Sequence, residues 1–190
     1  MEQLIRQNRS YRRFYQDYFL AVDNLKYFVN LARLSPSARN AQPLKYYISN
    51  EEPTNAKIFE CLSWAGYLKD WDGPEEGERP SAYVVITGDH SIADHFYCDH
   101  GIAAQSILLG AVEKGFGGCI IASVNHQKLR AHLQLEQQLE ILLVIALGKP
   151  RESVRLDSLG KTGDIKYWRD DKRIHHVPKR QLDDIIINLS

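Results

Sequence analysis

Two stretches hold the residue types that could carry chemistry. The first is Asn8-Arg9-Ser10-Tyr11-Arg12-Arg13-Phe14. Three arginines and a serine crowd into it, and guanidinium forks match phosphate oxygens, so the run can grip an anion. A solvated basic turn would have the same residues. The second is Leu34-Ser35-Pro36-Ser37-Ala38-Arg39-Asn40-Ala41-Gln42-Pro43. Two prolines restrict the backbone at its ends, and Ser35 and Asn40 can hold turns. Hydroxyl, amide and guanidinium groups lie between the prolines. The loop is either shaped for a polar, planar ligand or is an ordinary helix-to-strand connection, and the residue types leave both open.

Other candidate motifs fail on spacing. His90, His95 and His100 are five apart, which on a helix turns each about 140° from the last. Cys98-Asp99-His100 lacks the paired spacing of a zinc site, so no metal is expected. His175-His176 adds nothing specific. Cys119 has no nucleophile signature around it and reads as a buried structural cysteine. Gly115-Phe116-Gly117-Gly118 is no phosphate loop, because a strand-like run follows where a helix should open. Neither a Gly-rich nicotinamide fingerprint nor a Gly-x-Ser-x-Gly elbow is present.

The elements that must position these residues alternate between helix and strand. Residues 1–7 suit a short helix and 21–34 an amphipathic one, with Leu25, Phe28, Val29, Leu31 and Ala32 largely on one side. Residues 45–49 read as a strand, and a helix is expected from the Asn50–Asn55 turn to about Trp64. The stretch 64–79 is aromatic and then acidic, which suits a pocket wall or lid, or an exposed loop anchored by its aromatics. Ala82–Thr87 and Ile141–Leu147 are strong buried strands, with a shorter extended piece at 119–122 and a helix at 125–135. The longest helix is expected over 99–114. It is apolar nearly all round, and a domain of this size can hardly cover it alone, so part of it would meet a second subunit. Gly101, Ala103, Ala104 and Gly110 would let another helix approach closely. After Pro150 the chain reads as polar and irregular until the 182–187 run. The pattern is an α+β or α/β sheet with helices around it.

Bulk properties narrow the class. A chain of 190 residues, 44% hydrophobic and 25% charged, suits one soluble folded domain over 1–190. Twenty-four basic residues balance twenty-four acidic ones, which gives no argument for nucleic acid or a membrane surface. An RNA-binding reading of Arg6 to Arg13 is poor for the same reason. Three scattered cysteines suit a reducing compartment, and no run approaches a signal peptide or membrane span, so a cytoplasmic protein is expected.

Taken together, the pieces resemble the FMN-dependent nitroreductase family. Residues 8–14 resemble its opening Arg-Ser-x-Arg-x-Phe signature, and 35–43 its Pro-Ser-x-x-Asn-x-Gln-Pro loop. Residues 99–106 are similar to the start of its long central helix. Gly115-Phe116-Gly117 and Leu147-Gly148-Lys149-Pro150 follow in the usual order. The resemblance implies an α+β fold with a long buried central helix, and a homodimer with two FMN sites at the subunit interface. It implies that Arg9 and Ser10 bind FMN, Arg9 near the phosphate, and that Arg12 lies at the ring's N1–O2 edge. Pro36, Ser37, Ala38, Asn40 and Gln42 would come from the other subunit. Ile121 and Ala122 would cover one flavin face by their backbone, and Lys179 and Arg180 would sit at the phosphate. Two departures stand out: Asn8 occupies a position where many members have arginine, and the aromatic stretch 64–71, with Lys69 a candidate contact, replaces other flavin contacts.

The implied activity is NAD(P)H-dependent oxidoreduction. Hydride would pass through flavin N5 to a nitroaromatic, quinone or flavin acceptor in ping-pong fashion. No protein nucleophile is then required, which agrees with the failed motifs. The alternative is a flavin-binding or dimeric interaction protein without turnover.

Overall fold

The structure is a computed structural model and describes residues 1–68, 70–160 and 163–188. Lys69 lies outside the described residues. In chain order the elements are α1 (Glu2–Gln7), β1 (Phe14–Tyr15), α2 (Val22–Leu34), β2 (Leu44–Ser49), α3 (Glu52–Phe59), β3 (Ala82–Asp89), α4 (Asp99–Glu113), β4 (Gly117–Ile121), α5 (His126–Leu133), β5 (Leu139–Pro150), β6 (Val154–Ser158), β7 (Trp168–Arg169) and β8 (His175–Lys179). This is the expected α+β arrangement.

The two strongest apolar runs become the centre of the main sheet, which runs β1-β5-β3-β2 with β4 also on β5. All these pairings are antiparallel. One edge of β5 takes β3 over Leu139–Leu147, while the other takes β4 over Val144–Gly148 and then β1 at Lys149 and Pro150. Side chains alternate across this sheet. Ala82, Val84 and Ile86 of β3 join one core with α2 and α4, and Tyr83 and Val85 join a second core with α3 and α5.

The expected long helix is α4. Ala103, Ala104, Ile107, Leu108, Gly110 and Ala111 are buried on it. Its close helical neighbour is α2 of the same chain: a Cβ at Gly110 would lie 2.3 Å from Leu31 Cδ1, whereas one at Gly101 would meet nothing within 4 Å. Ile102, Leu109 and Val112 stay only half-buried in the single chain. Gly115, at φ +76°, ends the helix in the left-handed region that glycine enters without strain.

Two expectations are corrected. The helix after Asn50 stops at Phe59 rather than near Trp64, because another segment captures the backbone that follows: Asn125 N–H donates to the Cys61 carbonyl at 2.8 Å and Ser63 N–H to the Ser123 carbonyl at 2.9 Å. The region after Pro150 is not irregular either. It forms a second sheet, β6-β8-β7, with β6 and β8 parallel. Pro178 sits in its central strand, a position where proline is ordinarily disfavoured. It is tolerated because β7 pairs only with His175 and His176, so no partner on that side needs its missing N–H.

Aromatic residues of 64–79 are anchored. Trp64 is buried beside Phe59, and Arg169 stacks over Trp71 with Cζ 4.3 Å from the ring centre. Among the described residues, no helix is long and apolar enough to cross a membrane.

Gly118 couples the sheet to the N-terminal run. Its carbonyl accepts from Tyr11 N–H at 3.0 Å, and a Cβ there would lie 2.5 Å from the Ala146 carbonyl oxygen. Gly118→Ala therefore pushes β4 off β5; a loss of about 1–3 kcal/mol in urea unfolding is expected.

Candidate functional site: a cationic cleft beside the small sheet

The N-terminal run crosses the molecule to reach the second sheet. A buried carboxylate holds it there. Glu152, its side chain 1% exposed, accepts from Arg12 N–H, from Arg13 N–H at 3.2 Å and from Arg169 Nη2 at 3.2 Å. Arg13 turns the other way and grips Glu78 with Nε and Nη2. That contact raises the Arg13 pKa and holds the Glu78 carboxyl below its ordinary value. With Arg13 spent on structure, Arg9 and Arg12 face a cleft of about 320 Å³.

The cleft is lined by the N-terminal run, by Gln105 and Leu108 of α4, by Gly118 and Ile120 of β4, and by Tyr167, His175, Val177 and Lys179. The last three follow from strand alternation: 175, 177 and 179 share one face of β8. Among the described residues no carboxylate lines the cleft, while Arg9, Arg12 and Lys179 do. Burial pushes the Arg9 pKa down, yet a guanidinium remains charged at any physiological pH. Arg12 donates Nη1 to the Ser10 carbonyl at 3.2 Å and lies 3.3 Å from His175 Nε2. Its Cζ sits 4.9 Å from the centre of the Tyr167 ring, and that ring packs on His175 at 5.1 Å. A smaller pocket of about 120 Å³ shares Arg12, Ile120 and Tyr167 with the cleft and adds Ile121, Ala122 and the Trp64–Gly66 segment.

Arg9, Ser10, Arg12, Ile121, Ala122 and Lys179 are thus brought to one contiguous depression. Arg180 is not: it is exposed beyond the end of β8 and lines neither part. The loop residues lie elsewhere. Pro36, Ser37 and Gln42 line a cavity of about 140 Å³ with Asp99 and Ala103, Ala38 lines a third of about 280 Å³, and Asn40 is exposed. Ala103 at the loop cavity and Gln105 at the cleft are neighbours along α4 but lie about 200° apart around it, so the two open on different faces of the helix. Within one chain the loop and the cleft remain apart.

The loop itself is tightly held. Asp99 accepts from Ser37 Oγ at 2.6 Å and from Ala38 N–H at 2.9 Å, and Ser37 Oγ accepts from Gln42 N–H at 2.9 Å. Arg39, Asn40 and Gln42 all have φ near +53° (54°, 54° and 52°), a region costly for side-chain-bearing residues unless the surroundings enforce it.

Sequence reasoning missed Tyr167, His175, Glu152 and Asp99. For His175 a signal existed, since it stands at even spacing from Lys179. The others become visible only through contacts between distant segments. A further cavity of about 460 Å³, lined by Phe19, Phe59 and Tyr83, takes Glu76, Gly77 and Arg79 from the 64–79 stretch but none of the residues that the resemblance assigns to FMN. Among the described residues, no cluster of three or more histidine, cysteine or acidic side chains could hold a metal ion.

The motif resemblance implies a bound FMN, and the donor set of the cleft bears on that. Three cations without a lining carboxylate suit a phosphate-bearing ligand, and the backbone of β4 offers a wall for a flat ring. The residues present fit FMN.

Comparison with known proteins gives the same class. The model of the nitroreductase family matches residues 77–149. A curated protein of Archaeoglobus fulgidus, with the provisional name NADH dehydrogenase/NAD(P)H nitroreductase, is 23% identical over 148 residues, spanning 74% of this chain and 80% of its own. A nitroreductase family protein of Streptococcus pneumoniae superposes with a TM-score of 0.72 at 16% identity, over 99% of each chain. An FMN-dependent nitroreductase of Clostridium difficile superposes with a TM-score of 0.66 at 21% identity, over 80% of this chain and 89% of its own. The resemblance carried by the motifs is borne out, and the fold is nitroreductase-like.

The two histidines of β8 titrate in opposite senses. His175 is buried beside Arg12 and Arg169, and burial first, then those charges, lower its pKa to about 4. His176 faces the other way, 2.5 Å from Asp157 and 3.3 Å from Asp170 and stacked on Trp168 at 4.1 Å, and its pKa is raised chiefly by the Asp157 hydrogen bond. A raised folded-state pKa gives stability that is full below the ordinary value of about 6.5 and is lost as pH rises through the folded value. Wild type is therefore expected to exceed His176→Gln in urea stability most at about pH 6, with the gap shrinking by about pH 9.

Proposed function

We propose that the chain is an NAD(P)H-dependent FMN oxidoreductase of the nitroreductase type, one FMN-binding domain over 1–190 that works as a homodimer. The observation that carries this reading is the convergence of Arg9, Arg12 and Lys179 on a carboxylate-free cleft walled by β4. Arg9, Ser10 and Lys179 hold the phosphate through charge-assisted hydrogen bonds. Arg12 places a fixed positive charge at the polar edge of the ring, where it favours the reduced form. Ile121 and Ala122 bound the ring on one side with backbone. Pro36, Ser37, Ala38, Asn40 and Gln42, remote from the cleft of their own chain, reach the cleft of the second subunit. The chemistry FMN supplies when bound is two-electron hydride transfer. The protein's part is binding, orientation and electrostatics, with a small acceptor such as a nitroaromatic, quinone or free flavin using the same open pocket in turn.

The visible spectrum before and after anaerobic NADH or NADPH tests this. A yellow protein that bleaches, and regains colour with acceptor, is expected. A protein that takes up no added FMN overturns the cofactor assignment, and a bound flavin that no reduced nicotinamide bleaches overturns the catalytic one. Lys179→Ala is expected to weaken FMN binding by roughly ten- to a hundredfold in a fluorescence titration, from the loss of a charge-assisted contact.

A further inference from the structure

We propose that His175 is a positioning residue for Arg12, a neutral acceptor that fixes the guanidinium in the cleft without cancelling its charge. The proposal rests on the FMN reading of the cleft for its consequence, although the contact itself does not. A guanidinium has donors only, so at 3.3 Å Arg12 Nη1 donates and His175 Nε2 accepts. That requires the neutral tautomer with its proton on Nδ1, and Nδ1 is buried without a partner among the described residues. His175 is 1% exposed, so water does not compete for Nε2.

The surroundings keep the ring neutral. Arg12 and Arg169 both disfavour an imidazolium, and no carboxylate contacts either ring nitrogen among the described residues. The nearby acids are committed elsewhere: Glu152 to Arg169 and the N-terminal backbone, Asp157 and Asp170 to His176. Tyr167 packs on both members of the pair and is itself steadied by Tyr67 N–H donating to its hydroxyl at 3.4 Å.

The choice of partner matters physically. A carboxylate at position 175 would also orient Arg12, but would leave a net neutral pair. An imidazole orients it and leaves the full positive charge for an anionic ligand. Arg12 has no ion-pair partner among the described residues, as this requires.

Three substitutions separate the elements of the idea, with thermal unfolding of each variant checking that it folds. His175→Gln keeps a neutral acceptor and should bind FMN within about threefold of wild type, with an unchanged flavin midpoint potential. His175→Phe removes the acceptor, and His175→Glu adds a cancelling charge. Each should weaken FMN binding on the order of tenfold and lower the midpoint potential. Equal FMN affinity and potential in the Gln, Phe and Glu variants would overturn the proposal. So would equal losses in all three, which would assign His175 to packing alone. A second readout needs no flavin. In the ¹⁵N-histidine spectrum of the apoprotein, His175 should show an unprotonated Nε2 from about pH 8 to 5.5. A protonated Nε2, or titration near the ordinary value of about 6.5, would overturn it. If wild type takes up no FMN, the cofactor reading fails, and this spectrum alone then decides the His175–Arg12 contact.

Discussion

A single buried carboxylate ties the functional surface together. Glu152 sits just after the long strand β5 and accepts from two consecutive N-terminal backbone groups and from Arg169 of the second sheet. Burying a charge is costly unless partners satisfy it, and removing one partner leaves the other stranded. This carboxylate therefore obliges the start of the chain, the end of the main sheet and the small sheet to occupy one place. The adjoining Arg13–Glu78 pair adds the segment that follows the aromatic stretch. The cleft is the space these constraints leave between them.

Charge is distributed with the same economy. Arg13 and Arg169 are neutralised by acids and serve the scaffold. Arg9, Arg12 and Lys179 line the cleft without carboxylates and keep their charge. The adjacent histidines of β8 repeat the division on opposite faces of one strand: His175 lies neutral among arginines, while His176 lies between two aspartates that favour its proton. One strand thus presents an uncharged acceptor to the cleft and, on its other face, a histidine whose proton two aspartates favour.

The central helix separates the two parts of the proposed site. Its first residue, Asp99, organises the strained 36–42 loop, whereas Gln105 and Leu108 line the cleft further along. One chain therefore offers its loop cavity and its cleft on different faces of the same helix. In the proposed homodimer each chain's loop completes the other's cleft, and the half-buried Ile102, Leu109 and Val112 leave apolar surface on α4 for that contact.

Residue type and short-range period by themselves determined the long strands of the main sheet, the helices apart from the end of α3, and the two chemistry-bearing stretches. The runs 82–87 and 141–147, the over-apolar 99–114 helix and the crowded arginines are local properties, and local properties survive in a linear string. Tertiary structure alone decided which arginines are free. Arg12 and Arg13 are neighbours of one residue type, yet one faces the cleft and the other pairs with Glu78, because backbone direction and a distant acid set their fates. The small sheet was equally hidden. Its parallel pairing joins Val154 to His175 through a strand that contains proline, and polar side chains buried by pairing show no apolar period. The same holds for His175. Its type was plain in the sequence, but its role depends on Arg12, 163 positions away, and on a burial that only the folded chain creates.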